Sequence, residues 1–166
     1  MKKNKLLLIM ILSLLLPVFT ALGSTPDGII TLSPDLTIVQ GGGGNSGILV
    51  TDRAVVVIDT KMGDDAKKLY DMVKEKAGHK QIIVINTHYH ADHVSGNHFY
   101  KGSKIYIGNY DKAFLEKQVE AENMPTDFVK DSLVLNLGNE ILELYNLGQA
   151  HTWQDMVVSL KKHQVL

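Results

Sequence analysis

The chain contains no cysteine. That absence removes disulfide scaffolds, thiolate nucleophiles, cysteine-based zinc knuckles and iron–sulfur clusters together, so any metal site has to be built from histidine and carboxylate. There is no excess charge of one sign either: 17 basic against 18 acidic side chains leave a formal charge of −1. Such a balance offers nothing to wrap a polyphosphate and argues against nucleic acid as a partner. A GxSxG nucleophile elbow and an HExxH helix are both missing, which turns attention away from serine hydrolases and the helix-borne zinc peptidases. Beyond residue 23 no apolar stretch approaches the roughly 20 residues that a bilayer core needs.

The one long apolar run stands at the start. Lys2, Lys3 and Lys5 precede Leu6 to Phe19, and the small residues Ala21 and Gly23 follow. This reads as a secretory signal peptide over residues 1–23, because the run is short for a membrane span and Pro17 interrupts its end. The remainder, residues 24–166, is then a single domain expected in the periplasm or outside the cell, free of the membrane once the leader is removed.

Within it, LTIV (36–39), ILV (48–50) and AVVVID (54–59) predict short strands joined by tight loops. Gly41 to Gly44 invite a phosphate-loop reading, but Asn45-Ser46-Gly47 leads into another strand instead of a Lys-Ser/Thr helix start, so a flexible hairpin loop is expected. From Gly63 to Ala77 the period changes: Ala66, Leu69, Tyr70, Val73 and Ala77 recur at three and four, with Asp64 and Asp65 in front and Gly78 behind. That predicts an amphipathic helix, and QIIVIN (81–86) after it a strand buried on both faces. A short helix after Asp92, a strand over 104–107, a polar helix over about 111–122 and strands over 133–135, 141–145 and 156–160 complete the reading.

Residues 87 to 97 read THYHADHVSGN, directly after the buried strand. In an extended chain His88 and His90 share a face and can grip one ion as a pair, and Asp92 has the same parity. A turn or helix start would instead swing Asp92 and His93 away together toward a second ion. A catalytic zinc keeps three protein ligands and one open position, and His151 in LGQAHTWQD supplies the third candidate.

HYHADH after a buried strand, the upstream VVVIDT with its Asp59 and the later AHTWQD together resemble the metallo-β-lactamase superfamily. The resemblance covers about residues 35–166 and implies an α/β fold, the four-layered αβ/βα sandwich. It places a first metal site on His88, His90 and His151, begins a second with Asp92 and His93, and matches Asp59 to the family's buried acid that steadies the metal-binding loop. A plain strand-end cap is the other account of Asp59.

One departure stands out. The family completes its second site with an aspartate after the next strand and a later histidine. Here KHQVL reads as the start of that strand, and His163 within it comes ahead of the position of that aspartate and so is not the missing ligand. The expectation is therefore an incomplete domain: the N-terminal portion of the sandwich plus the start of its second half, with the pocket walls of the remainder lacking.

The implied chemistry is attack on a carbonyl by a metal-activated water, with Asp92 as catalytic carboxylate orienting it and carrying protons. The cofactor is zinc, as one or two ions, and the partner a small-molecule substrate. The leader and the AHTxxD segment suit a β-lactamase; thioester and lactone hydrolases share the same motif, and a mono-iron persulfide-type oxygenase is the reading from another class. His93 sets the chain apart from lactamases that use cysteine at the second site. His79 and His98 are expected at the surface, Tyr89 under the loop, and Trp153 at the site mouth or capping the sheet.

Overall fold

The computed structural model describes residues 28–166. The leader inferred over residues 1–23 lies outside the described residues. Among the described residues ten strands form two sheets. In the larger, β1 (Ile29–Ser33), β2 (Leu36–Val39), β3 (Ser46–Val50) and β4 (Ala54–Ile58) pair antiparallel in sequence order. It continues in parallel through β5 (Gln81–Ile85), β6 (Lys104–Gly108) and β7 (Asp127–Val129). The smaller is antiparallel, with β9 (Ile141–Gly148) between β8 (Ser132–Asn136) and β10 (Asp155–Leu160).

The 3.6-residue period over 63–77 forms α1 (Gly63–Ala77), which buries Ala66, Leu69, Val73 and Ala77. That stripe packs with Val55, Val57, Val84 and Ile105 on one face of the large sheet. The opposite residues of the same strands, Val56, Ile83 and Ile85, meet Leu142, Leu144, Met156, Val158 and Leu160 of the small sheet. Alternate side chains of β4 and β5 thus enter different cores, which is why both strands are continuous runs of apolar residues. The described residues build a helix layer and two sheets of the four-layered αβ/βα sandwich. Among them no helix is long and apolar enough to cross a membrane.

Three expectations are corrected. The polar helix over 111–122 is only one turn, α3 (Lys112–Leu115), followed by turns and a 3₁₀ segment at Ala121–Asn123. Leu115 and Val119 of that stretch are buried beside Ile107 and Tyr110 and Phe114 is half-buried against them, too narrow an apolar stripe to hold a long helix. KHQVL is not a strand: residues 161–164 turn back and Val165 makes a single bridge to Leu160. The helix near the histidine cluster, α2 (Ala91–Val94), begins one residue before Asp92 and is succeeded by a 3₁₀ turn at Asn97–Tyr100. Strands β1 and β7 add to those expected from the sequence.

Candidate metal centre

The parallel strands β4 and β5 end side by side, and the chain leaving each enters the same place. After β5, residues 86–90 run irregularly until His90 caps α2 in an extended conformation, φ −62° and ψ 150°. The helix start turns Asp92 and His93 off the line of His88 and His90. His151 arrives from the other sheet, on the loop between β9 and β10. Its loop is anchored through Thr152, whose N–H donates to the Asp155 carboxylate at 2.8 Å and whose hydroxyl lies 2.5 Å from that of Tyr110. Burial opposes it most, but the hydrogen bonds from Thr152 hold the Asp155 carboxyl below its ordinary pKa.

One nitrogen from each of His88, His90 and His151 falls within 4.8 Å of the others. His88 Nε2 lies 3.1 Å from His90 Nδ1, and His151 Nε2 lies 3.2 Å from the same atom. Two nitrogens sharing a tetrahedral zinc, each at about 2.0–2.1 Å, stand about 3.3 Å apart. The donor set and its spacing therefore fit one small, borderline-soft cation. His88 is buried, His90 intermediate and His151 exposed, so the cage opens on one side.

The hydrogen-bond network behind the cage assigns the imidazole tautomers. The Thr87 hydroxyl donates to Asp59 Oδ2 at 2.8 Å and thereby accepts from His88 Nδ1 at 3.0 Å. His88 Nε2 keeps its lone pair toward the cage. Burial above all, with help from the neighbouring imidazoles of His93, His90 and His151, lowers the His88 pKa to about 4. A neutral ring is what a metal ligand has to be.

Asp59 is 4% exposed and sits at φ 60°, in the left-handed region that non-glycine residues rarely enter. Its two oxygens accept from the Thr87 N–H at 2.8 Å, the Thr87 hydroxyl and His93 Nδ1 at 2.8 Å. It does more than cap a strand. His93 turns its other nitrogen, Nε2, to Asp92 Oδ2 at 3.2 Å. Burial works against protonation of His93, but Asp59, with Asp92 behind it, holds its pKa above the ordinary imidazole value. The structure thus gathers His88, His90 and His151 in one group and sets Asp92 with His93 in an adjoining pair.

Several supporting residues carry no sequence signal of their own. The His93 carbonyl accepts from Thr60 N, Thr60 Oγ1 and Asn86 Nδ2 at 2.9, 3.1 and 2.8 Å, and Asn97 braces Asn86 at 2.9 Å. Lys61, 1% exposed and also at φ 60°, donates to the carbonyls of Gly41 and Gly44. The glycine run joins β2 to β3 as expected, but it is pinned and not free. It lies so close to α2 that a Cβ on Gly43 would stand 2.5 Å from Asp92 Cβ, and one on Gly44 2.7 Å from His93 Cε1.

Of the other histidines, His79 is exposed. His98 is half-buried: its Nδ1 sits 2.8 Å from the Ser95 carbonyl and 3.0 Å from Asn123 Oδ1. His163 lies at the far end of β10 from the cage, between Glu140 and Asp35. Tyr89 packs edge-on to His90, Tyr110 and Phe114, under the loop as expected. Trp153 is 62% exposed.

Comparison with known proteins agrees with this geometry. The family profile described as the metallo-beta-lactamase superfamily matches residues 39–166. A "Metallo-beta-lactamase type 2" of Elizabethkingia meningoseptica is 30% identical over 125 residues, spanning 74% of this chain and 49% of that protein. The chain therefore spans about half the length of this relative. Among solved structures, a metallo-beta-lactamase from Pontibacter korlensis superposes with a TM-score of 0.65 at 21% identity, covering 81% of this chain and 67% of that one. A sec-alkylsulfatase from Pseudomonas sp. superposes with a TM-score of 0.66 at 17% identity, covering 82% and 30% respectively. At those identities the two structures speak for the fold. With the profile covering most of the chain and three imidazole nitrogens converging where two sheets meet, the chain belongs to the metallo-beta-lactamase superfamily.

Proposed function

We propose that this chain carries the metal centre of an exported zinc-dependent hydrolase that opens a strained cyclic amide, as a β-lactamase does. The observation that carries the reading is the convergence of His88 Nε2, His90 Nδ1 and His151 Nε2 at separations of 3.1 and 3.2 Å, with Asp92 next to them. Zinc held there supplies a Lewis acid and lowers the pKa of its water to about 7. The β-lactam choice is supported by the relative named as a metallo-beta-lactamase at 30% identity. Export is supported by Lys2, Lys3 and Lys5 ahead of the apolar run.

The chain's own residues divide the work. Neutral His88 is available as a ligand across the physiological range, because burial keeps its pKa at about 4. Asp92, whose side chain is 32% exposed, is the proton carrier. It takes the proton as water adds to the carbonyl carbon and returns it to the leaving nitrogen as the ring C–N bond breaks. Asp59 and Thr87 hold His88 and His93 in the required orientation.

The test is nitrocefin turnover with metal analysis on the chain and its His90→Ala variant. The expected result is bound zinc and turnover that falls at least about a thousandfold in the variant, the scale of removing a main catalytic element. Bound zinc without turnover would contradict the β-lactam choice and favour the thioester and lactone hydrolases that share this motif. Bound iron in place of zinc would favour the mono-iron oxygenase reading.

A further inference from the structure

We propose that Trp153 and Phe114 form an apolar subsite that receives the non-reacting side group of the substrate, which makes the preferred substrates acyl compounds bearing an aromatic or bulky alkyl group. The inference rests on the metal-dependent hydrolase reading and deepens it. Trp153 is the sole tryptophan of the chain, two residues after His151, and 62% of its surface is exposed. An indole this bare beside a candidate metal ligand is unusual, since tryptophan is on average highly buried in folded chains.

The indole stands on fixed backbone. Thr152, only 5% exposed, binds Asp155 and Tyr110, and Gln154 is held by Asn146 Nδ2 at 2.8 Å. Gly108 of β6 packs under this loop so tightly that a Cβ there would lie 2.5 Å from the Gln154 carbonyl. From Trp153 an aromatic path leads back to the cage. Its ring centroid is 6.5 Å from Phe114, Phe114 is 5.5 Å from Tyr89, and Tyr89 is 5.1 Å from the His90 ring.

None of these aromatic rings carries a charge, whereas the other approach to the site, over Asp92 and His93, is lined by the backbone of Gly43 and Gly44. A molecule with its carbonyl at the cage thus meets apolar rings in one direction and the polar Asp92–His93 pair with glycine backbone in the other. The occupant that touches both the cage and the indole is a small molecule anchored at the metal, with its apolar substituent laid toward Phe114 and Trp153. Aromatic partners of this kind add binding by ring contact as well as by burial.

The experiment compares phenylacetohydroxamate with acetohydroxamate on the zinc-loaded full chain, by tryptophan emission and by calorimetry. The subsite predicts that the phenyl compound binds about tenfold tighter and perturbs the emission of Trp153, and that in Trp153→Ala this preference falls to about unity while Trp153→Phe retains most of it. An equal phenyl preference in Trp153→Ala would overturn the subsite and leave the metal centre standing. Failure of acetohydroxamate to bind, or equal binding without zinc, would overturn the metal-centre reading and the subsite with it.

Discussion

At the scale of single residues, the centre depends on Asp59 as much as on the imidazoles. Its backbone is held at φ 60°, a conformation costing on the order of 1–3 kcal/mol, and the return on that strain is a carboxylate aimed at both Thr87 and His93. Asp59→Ala leaves the Thr87 N–H unpaired, takes the acceptor from the Thr87 hydroxyl and so loosens its hold on the His88 ring. We expect zinc affinity to fall about 10- to 100-fold, the usual effect of losing such a support, as measured by competition with a chromophoric chelator. Asp59→Asn is expected to lose nearly as much, because an amide NH₂ would face the Thr87 hydroxyl or His93 Nδ1. Affinity within twofold of the unmodified chain in both variants would rule out the positioning role. Asp59 is legible in the sequence as a polar residue ending an apolar strand. Thr87, Lys61 and Tyr110 are not, since each acts only through a partner brought close by tertiary packing.

At the scale of elements, the turn between β1 and β2, the turn between β8 and β9, and the chain after β10 are tied together by one charged cluster. His163 places Nδ1 2.6 Å from Glu140 and Nε2 2.8 Å from Asp35, and Lys162 adds a second cation on Asp35 at 2.5 Å. Burial opposes protonation of His163, but the two carboxylates raise its pKa above the ordinary 6.5. Asp35 is held well below 3.8 by Lys162, Ser33 and His163, and Glu140 below 4.5 by its hydrogen bonds despite burial. The raised imidazole stabilises the fold fully below pH 6.5, and its contribution is lost as pH climbs through the folded pKa. The carboxylates contribute above their ordinary values and lose that contribution as pH falls below them. Urea midpoints should therefore peak between about pH 4.5 and 6.5 from this cluster, and His163→Gln should flatten the alkaline decline relative to the unmodified chain. An identical alkaline limb in the variant would show that the cluster does not hold the turns. The elements differ in how far the sequence reveals them. Helix α1 and strand β5 are plain because their burial is regular, one stripe on α1 and near-complete enclosure on β5. Strand β1 is obscure because Ile29, Ile30 and Leu32 are exposed at 61%, 43% and 54% and give no alternation. The stretch over 111–122 misleads because polar helix formers there lack an apolar face wide enough to dock.

At the scale of the whole molecule, the candidate centre spans the two sheets. His88 and His90 follow β5 of the large sheet, while His151 precedes β10 of the small one, 61 positions downstream of His90. The pairing of His88 with His90 is local and can be read from their spacing. The recruitment of His151 follows from the sandwich, and in the sequence it is legible only as the third histidine that a zinc beside His88 and His90 calls for, a choice the family resemblance supports. A bound ion is thus a cross-link between layers as well as a reagent, and anything that binds the folded state alone raises its stability. The most direct test is zinc titration of the full chain followed by both chelator competition and thermal unfolding, beside His151→Ala. We predict a single tight equivalent of zinc and a rise in Tm reversed by EDTA, with both effects abolished in His151→Ala. Zinc bound equally well by His151→Ala, or no zinc-dependent change in Tm, would contradict a metal centre built across the two sheets.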